Sequence, residues 1–375
     1  METVDATWIK HPGFYIKEEL DERGWSQRDL AFILGVPEQA VNMIISGKRG
    51  ISPDMARALG DAFDVHPDLF ANLQMNFDMA QAKQPKPGVS LLGKMHVNYP
   101  VREMVNRGWL VNAEAEMINQ QLARFFEVQS TAQVPYMAHA AKKRNLYEER
   151  EIPPAQLAWL FRVRQIAKSI SVPKYSEGRL REAVETMRGL TVAPEQTRDV
   201  PRLLSECGVR FIIVEKLPNS KIDGVCFWLN EHSPVIGMSI QRDTIDNFWF
   251  VLRHELEHVL RKHGRKVEMI DGDLDKRDDA LETEEEKVAN VAARDFCVGT
   301  EKFESFMIRK KPFYYERDMI AYSRIVNRHP GIVVGQMQRY LDNYSYLTRY
   351  LSKVRQFVMQ GAIVDGWGQI MPISL

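Results

Sequence analysis

A mostly helical α+β fold divided into more than one domain is what this sequence predicts, and three observations carry the expectation. Apolar residues recur at helical spacing over residues 13–76, and long helix-forming runs such as AEAEMINQQLARFFEV and PAQLAWLFRVRQIAKSI follow over residues 99–129 and 153–187. After Pro201 the pattern becomes short β-branched and aromatic runs bounded by turn residues: VRFIIVEKL, GVCFWLN and PVIGMSI. The chain has 375 residues, more than the roughly 100–200 that one domain usually holds.

Taken in order, residues 1–80 read as a domain of about five short helices. Two prolines, a glycine and two lysines in QAKQPKPGV mark a boundary, and residues 81–98 are expected to be a linker. Residues 99–195 form a helical middle segment. Residues 196–300 predict a core in which three strands of a small antiparallel sheet precede two helices, over residues 246–263 and 283–296, with the acidic loop DGDLDKRDD between them. Residues 301–375 are expected to be mostly helical, with a break at Pro330-Gly331.

Composition excludes several classes. With 45% hydrophobic and 27% charged residues, the chain can fill a core and is not disordered as a whole. No window approaches the ~20 apolar residues of a membrane span, and METVDATWIKHPG lacks the basic and apolar regions of a signal peptide. A cytoplasmic protein with no membrane partner is expected. The three cysteines, Cys207, Cys226 and Cys297, form no CxxC pair and read as small buried hydrophobes. Net charge is zero, but residues 1–80 carry 7 Lys/Arg against 13 Asp/Glu, so a uniform phosphate-attracting field over that domain is not expected.

The first constellation lies in that domain. Ser26 with Asp29 opens a helix through Leu34, Gly35-Val36 makes a turn, and Pro37 starts a second helix, EQAVNMIISG. This is the outline of a helix-turn-helix, whose second helix presents its first residues to the major groove. Glu38, Gln39 and Asn42 are then candidates for base edges, and Gln27, Lys48 and Arg49 for phosphates. From HPGFYIKEELDERGW through SGKRGISPDMARALGDAF, over residues 11 to about 77, the sequence resembles the HigA group of Xre-type helix-turn-helix proteins. The resemblance implies double-stranded operator DNA as a partner and a homodimer matched to two half-sites. Glu38 departs from it, because near phosphates a carboxylate is useful only toward a cytosine amino group.

The second constellation is His254-Glu255-Leu256-Glu257-His258, an HExxH sequence. Histidines four apart share a helix face and can reach one Zn2+, and Glu255 is placed as general base. A catalytic zinc site takes a third protein ligand. His263 fails the extended HExxHxxGxxH spacing, so the candidate is a carboxylate on the following helix, TEEEKVANVAARDF. At 100° per residue Glu286 shares a stripe with Ala289, Asn290 and Ala293, whereas Glu284 and Glu285 are rotated away by about 200° and 100° and Glu282 precedes the settled helix. Glu286 is the expected ligand and Asn290 its neighbour supporting a ligand. His329 could bring an oxyanion donor over the cleft or simply mark a helix boundary. Phe248, Trp249 and Phe250 read as core, and RYLSKVRQF, with Lys and Arg spaced along a helix, as a solvated face that could alternatively touch nucleic acid.

DNFWFVLRHELEHVL, EEEKVANVAARDF and the strand region KIDGVCFWLNEHSPVIGMSI resemble the ImmA/IrrE family of zinc metallopeptidases, most closely over residues 200–300. Val288 and Gly299 depart from that family's second acidic residue and proline. The resemblance implies zinc held by His254, His258 and Glu286, and an endopeptidase that cleaves a partner protein such as a repressor in stress, mobile-element or toxin–antitoxin control. The alternative expectation is a non-proteolytic HigA-like antitoxin in which the peptidase fold binds a toxin or ligand.

Overall fold

The structure, a computed structural model, describes residues 9–131, 153–265, 269–271 and 283–372. The chain divides into two compact units, Met1–Lys86 and Pro87–Leu375.

Unit 1 contains α1 (Pro12–Arg23), α2 (Gln27–Leu34), α3 (Glu38–Ile45), α4 (Pro53–Phe63) and α5 (Asp68–Gln81). The Ser26 hydroxyl accepts from the Asp29 amide at 3.2 Å, and the Ser26 amide donates back to Asp29 Oδ2 at 2.7 Å, a reciprocal cap that satisfies two otherwise orphaned donors. These contacts with Ser26 hold the Asp29 carboxyl below its ordinary pKa. Gly35, at φ 64°, ends α2 in the left-handed region that favours glycine. Pro37 is the residue that precedes α3 and not part of its first turn. Ile16, Leu20, Leu30, Val41, Ile44, Leu59, Phe63 and Phe70 fill the unit's core.

Unit 2 begins with α6 (Val89–Asn98), α7 (Val101–Asn106), α8 (Ala115–Phe125), α9 (Pro154–Ser169), α10 (Glu177–Leu190) and α11 (Val200–Glu206). The linker expected over residues 81–98 therefore stops at Gly88: Met95 and Tyr99 are buried in one core with Ile118, Leu122 and Phe126, which gives α6 a reason to fold. The strands β1 (Arg210–Val214), β2 (Gly224–Trp228) and β3 (Pro234–Met238) follow, then α12 (Ile245–Leu260), β4 (Met269–Asp271), α13 (Glu284–Val298), α14 (Thr300–Lys310), α15 (Glu316–Ile325), α16 (Pro330–Leu341), the single turn α17 (Arg355–Val358) and β5 (Ile363–Asp365).

The sheet corrects two expectations. It has five strands in the order β4-β2-β3-β1-β5 and is mixed: β2 pairs antiparallel with β3 and β4, whereas β1 runs parallel to β3 and β5. The turn after Trp228 folds β3 back along β2, and β3 thereby comes to lie between β2 and β1. The last 75 residues add one strand to their helices, and this β5 closes the far edge. Successive residues alternate between faces. Phe211, Ile213, Cys226, Ile236 and Met238 join α10 to α16 in one core, while Ile212, Val214, Val225, Phe227 and Val235 join α6 to α9 in another. Cover on both faces explains why β2 and β3 are buried along their whole length. Among the described residues no helix is long and apolar enough to cross a membrane.

One ion pair ties β5 to the first helical layer. Asp365 accepts from Arg162 Nε at 3.0 Å, from Trp109 Nε1 at 2.7 Å and from the Met371 amide at 3.1 Å, and both charged residues are buried. Replacing Asp365 by alanine strands the Arg162 guanidinium in the core. The expected loss is about 3–5 kcal/mol, read as a shift in the denaturant midpoint; a loss below ~1 kcal/mol would mean that water reaches Arg162.

Candidate metal centre and helix-turn-helix surface

α12 is buried on all sides, and His254, Glu255 and His258 are each fully buried within it. Across from it α13 starts at Thr283, whose hydroxyl accepts from the Glu286 amide at 3.3 Å. Ala289 and Ala293 have no exposed surface, and these small side chains let the two helices approach closely. Glu286 then reaches the histidines: its carboxylate oxygens lie 3.4 Å from His254 Nε2 and 3.6 Å from His258 Nε2. The two Nε2 atoms are 3.0 Å apart. Donors bound to zinc at about 2.0–2.2 Å in tetrahedral geometry lie roughly 3.3 Å from one another, so this triangle has the size and donor chemistry that such an ion requires. Among the described residues His254, His258 and Glu286 form a group able to hold a metal.

Neighbouring residues orient the two imidazoles. Asn290 Oδ1 lies 3.0 Å from His254 Nδ1; as acceptor it keeps the ring proton on Nδ1 and leaves the Nε2 lone pair facing Glu286. His263, which fails the sequence spacing for a ligand, nonetheless places its Nδ1 2.9 Å from His258 Nδ1. Burial lowers the His263 pKa. The other carboxylates are engaged elsewhere. Glu257 accepts from Arg253 at 2.8 Å and Arg261 at 2.6 Å; burial pushes its carboxyl up, but these hydrogen bonds outweigh it and the net shift is downward. Glu284 pairs with Lys287 at 2.8 Å, and Glu285 lies near His263. Glu282 and most of the acidic loop lie outside the described residues.

Glu255 is held against β2. A methyl group on Gly224, the first residue of that strand, would sit 2.1 Å from Glu255 Oε1, so the carboxylate occupies the space that only glycine leaves open.

Several other candidates have structural roles. His329 caps α16, its Nδ1 accepting from the Gly331 amide at 3.0 Å, and burial lowers its pKa. Phe248, Trp249 and Phe250 are core. RYLSKVRQF is not one basic helix: Arg349 pairs with Glu316, and Arg355 donates to the Ile240 carbonyl at 3.0 Å. The three cysteines are free and buried, and burial raises the Cys297 thiol to about 12.

In unit 1 the exposed side of α2 and α3 brings several sequence candidates together. Asn42 Nδ2 donates to Gln27 Oε1 at 3.2 Å, and Arg28 Nε pairs with Glu38 at 3.3 Å. Gln39 is exposed on α3, and Lys48 and Arg49 are exposed in the loop that follows it.

A helix-turn-helix family profile matches residues 16–70. The chain is 34% identical over 109 residues to virulence-associated protein A' of Dichelobacter nodosus, spanning 29% of this chain and 90% of that protein. It is 30% identical over 73 residues to the Escherichia coli K12 HTH-type transcriptional regulator YddM, spanning 20% and 78%. A solved HigA-family addiction module antidote protein from Coxiella burnetii is 35% identical, covering 20% of this chain and 80% of that one, with a TM-score of 0.19. Through its N-terminal unit the chain belongs to the helix-turn-helix family.

The tight fit at Gly224 generates a prediction. Gly224→Ala should cost about 1–3 kcal/mol by overpacking, and most of that cost should disappear in a Glu255→Ala background. Equal costs in both backgrounds, measured by denaturant unfolding, would show that the methyl group strains something other than Glu255.

Proposed function

We propose that this protein is a DNA-binding helix-turn-helix regulator whose second unit is a zinc metallo-endopeptidase of the ImmA/IrrE type, acting on a partner protein such as a repressor. The observation that carries the enzymatic half is the convergence of two imidazoles and one carboxylate, from two helices, at the spacing of a tetrahedral site. Glu255 follows His254 directly, and Asn290 supports the first imidazole.

His254, His258 and Glu286 would hold the zinc ion, which supplies Lewis acidity toward a peptide carbonyl and lowers the pKa of a water molecule. The Glu255 carboxylate would serve as general base, taking a proton from an attacking water and returning it to the nitrogen of the leaving amine. Packing against Gly224 would fix the carboxylate for both transfers.

The regulatory half rests on the family of unit 1 and on its exposed α2 and α3 surface. Gln39 and Asn42 read base edges, while Gln27, Lys48 and Arg49 position the domain on the backbone of an operator, with a homodimer spanning two half-sites.

Zinc-loaded protein incubated with the products of neighbouring genes should cut one of them, and a chelator should abolish the cut. Glu255→Gln should keep stoichiometric zinc while turnover falls ~10²–10⁴-fold; normal cleavage by this variant would remove Glu255 from the chemistry. Retained zinc and operator binding with no cleavage of any neighbour would instead favour a non-proteolytic antitoxin. For the DNA surface, Lys48→Ala with Arg49→Ala should weaken binding to specific and unrelated duplexes alike, and should flatten the salt dependence by about one unit of slope per lost phosphate contact. An unchanged slope in a salt titration would place those two residues off the backbone.

A further inference from the structure

We propose that His263 is a positioning residue for His258, fixing its tautomer and ring orientation for metal binding through a bond between ring nitrogens. The proposal rests on the reading of His254, His258 and Glu286 as a metal site and adds to it a residue outside HExxH.

His258 directs Nε2 toward His254 Nε2 and Glu286, at 3.0 and 3.6 Å. Its other nitrogen, Nδ1, faces His263 Nδ1 at 2.9 Å, a distance at which one nitrogen donates and the other accepts. A neutral imidazole that ligates through Nε2 carries its proton on Nδ1. His258 is therefore the donor and His263 Nδ1 the acceptor. Neutral His263 must then hold its own proton on Nε2, the nitrogen that lies 3.9 Å from Glu285 Oε1. Metal ligation at His258 thus sets the polarity of a line that passes through His263 toward Glu285 at the start of α13. His263 stands behind His258, on the side away from Glu286, and this position makes it a support for the ligand instead of a further ligand.

The backbone holds His263 in place from both sides. Its amide donates to the His258 carbonyl at 2.9 Å, closing the end of α12. Its carbonyl accepts from Trp228 Nε1 of β2 at 2.8 Å. On one side Lys262 takes φ 61°, and on the other Gly264 takes φ 74° and lies so close to the Cys226 carbonyl that a Cβ would approach it to 2.6 Å. A turn held by the same strand that fits Glu255 delivers the ring to His258.

The test compares His263→Ala, His263→Asn and His263→Gln in the full chain. Asparagine places an amide oxygen about where Nδ1 stands and can accept the His258 proton; glutamine carries its oxygen one bond too far. Zinc affinity is measured by chelator competition, the ligand field by the visible spectrum of the cobalt(II)-substituted protein, and folding by thermal unfolding of the metal-free variants. His263→Ala should lower zinc affinity about 10–100-fold and shift the cobalt bands, His263→Asn should restore most of both, and His263→Gln should not. Wild-type affinity in His263→Ala overturns the proposal, and so does an asparagine variant that binds no more tightly than the alanine or glutamine one. If His263→Ala fails to fold, the asparagine and glutamine comparison decides by the same rule. A wild-type protein that binds no zinc, or binds it equally well after His254→Ala, overturns the metal-site reading itself. Intact wild-type binding with an indifferent His263 overturns only this proposal.

Discussion

A helix buried on every face cannot leave its polar side chains to water. In α12, 14 of 16 residues are buried, and His254, Glu255, Glu257 and His258 are among them. Ionised or hydrogen-bonding groups in that position are costly unless protein atoms replace the lost solvent. The surroundings of α12 follow from this requirement. Arg253 of the same helix and Arg261, which caps its end, lie one turn either side of Glu257 and match its charge. The histidines need partners from elsewhere, which fixes α13 at a separation that Ala289 and Ala293 permit, with Glu286 and Asn290 spaced to meet the two rings. The chemistry proposed for the site therefore draws on groups that the fold would have to arrange in any case.

The sheet contributes through close approach more than through catalytic side chains. Gly224 makes room for Glu255, Trp228 holds the carbonyl of His263, and Gly264 packs against the Cys226 carbonyl, so β2 governs both Glu255 and the turn behind His258. The opposite face of the sheet is stabilised separately: Trp159 of α9 donates to the Val214 carbonyl at 2.9 Å, and the Arg162–Asp365 pair joins that helix to β5. The C-terminal segment is likewise bound to the start of α12, because Asp243 Oδ1 accepts from the amides of Val354 and Arg355 at 3.0 and 2.7 Å. Displacing the last strand would thus disturb the site at both the sheet and the helix entry.

What the sequence revealed was what depends on local spacing. The cap at Ser26, the left-handed turn at Gly35 and the shared face of His254 and His258 are all set by residues within a few positions of one another. The choice of Glu286 needed only helical geometry, because the stripe through Ala289, Asn290 and Ala293 is defined within one element. Strand order is not local. VRFIIVEKL reads the same whether β1 lies parallel or antiparallel to β3, and nothing in the short run AIVD announces a fifth strand. His263 was missed for a related reason: measured against an extended zinc motif it fails as a ligand, but a residue that packs its ring nitrogen against His258 has no fixed spacing. One repeated signal was available. His11-Pro12-Gly13 and His329-Pro330-Gly331 both start helices with the histidine Nδ1 accepting from the glycine amide, at 2.9 and 3.0 Å. In each, a Cβ on the glycine would come within 2.4 Å of a neighbouring carbonyl oxygen. The same tripeptide serves the same capping and close-packing purpose in both units.

The acidic excess of residues 1–80 is a poor guide to the surface that α2 and α3 present, because electrostatic attraction to a duplex depends on the charges nearest it. Over residues 26–50 the acidic side chains are Asp29 and Glu38 and the basic ones are Arg28, Lys48 and Arg49. Asp29 is engaged with Ser26 at the start of α2, which leaves it occupied by the helix cap. Glu38 faces Arg28 at 3.3 Å with both side chains largely exposed, an arrangement typically worth ~0–1 kcal/mol. Such a pair cancels its own field while it lasts and separates at little cost. Arg28 could then turn to a phosphate and Glu38 to a cytosine amino group, the one base-edge partner suited to a carboxylate. On the proposed docking, the departure at Glu38 bears on which base is read beside it more than on whether the surface can meet DNA, since that reading gives the backbone contacts to Gln27, Lys48 and Arg49.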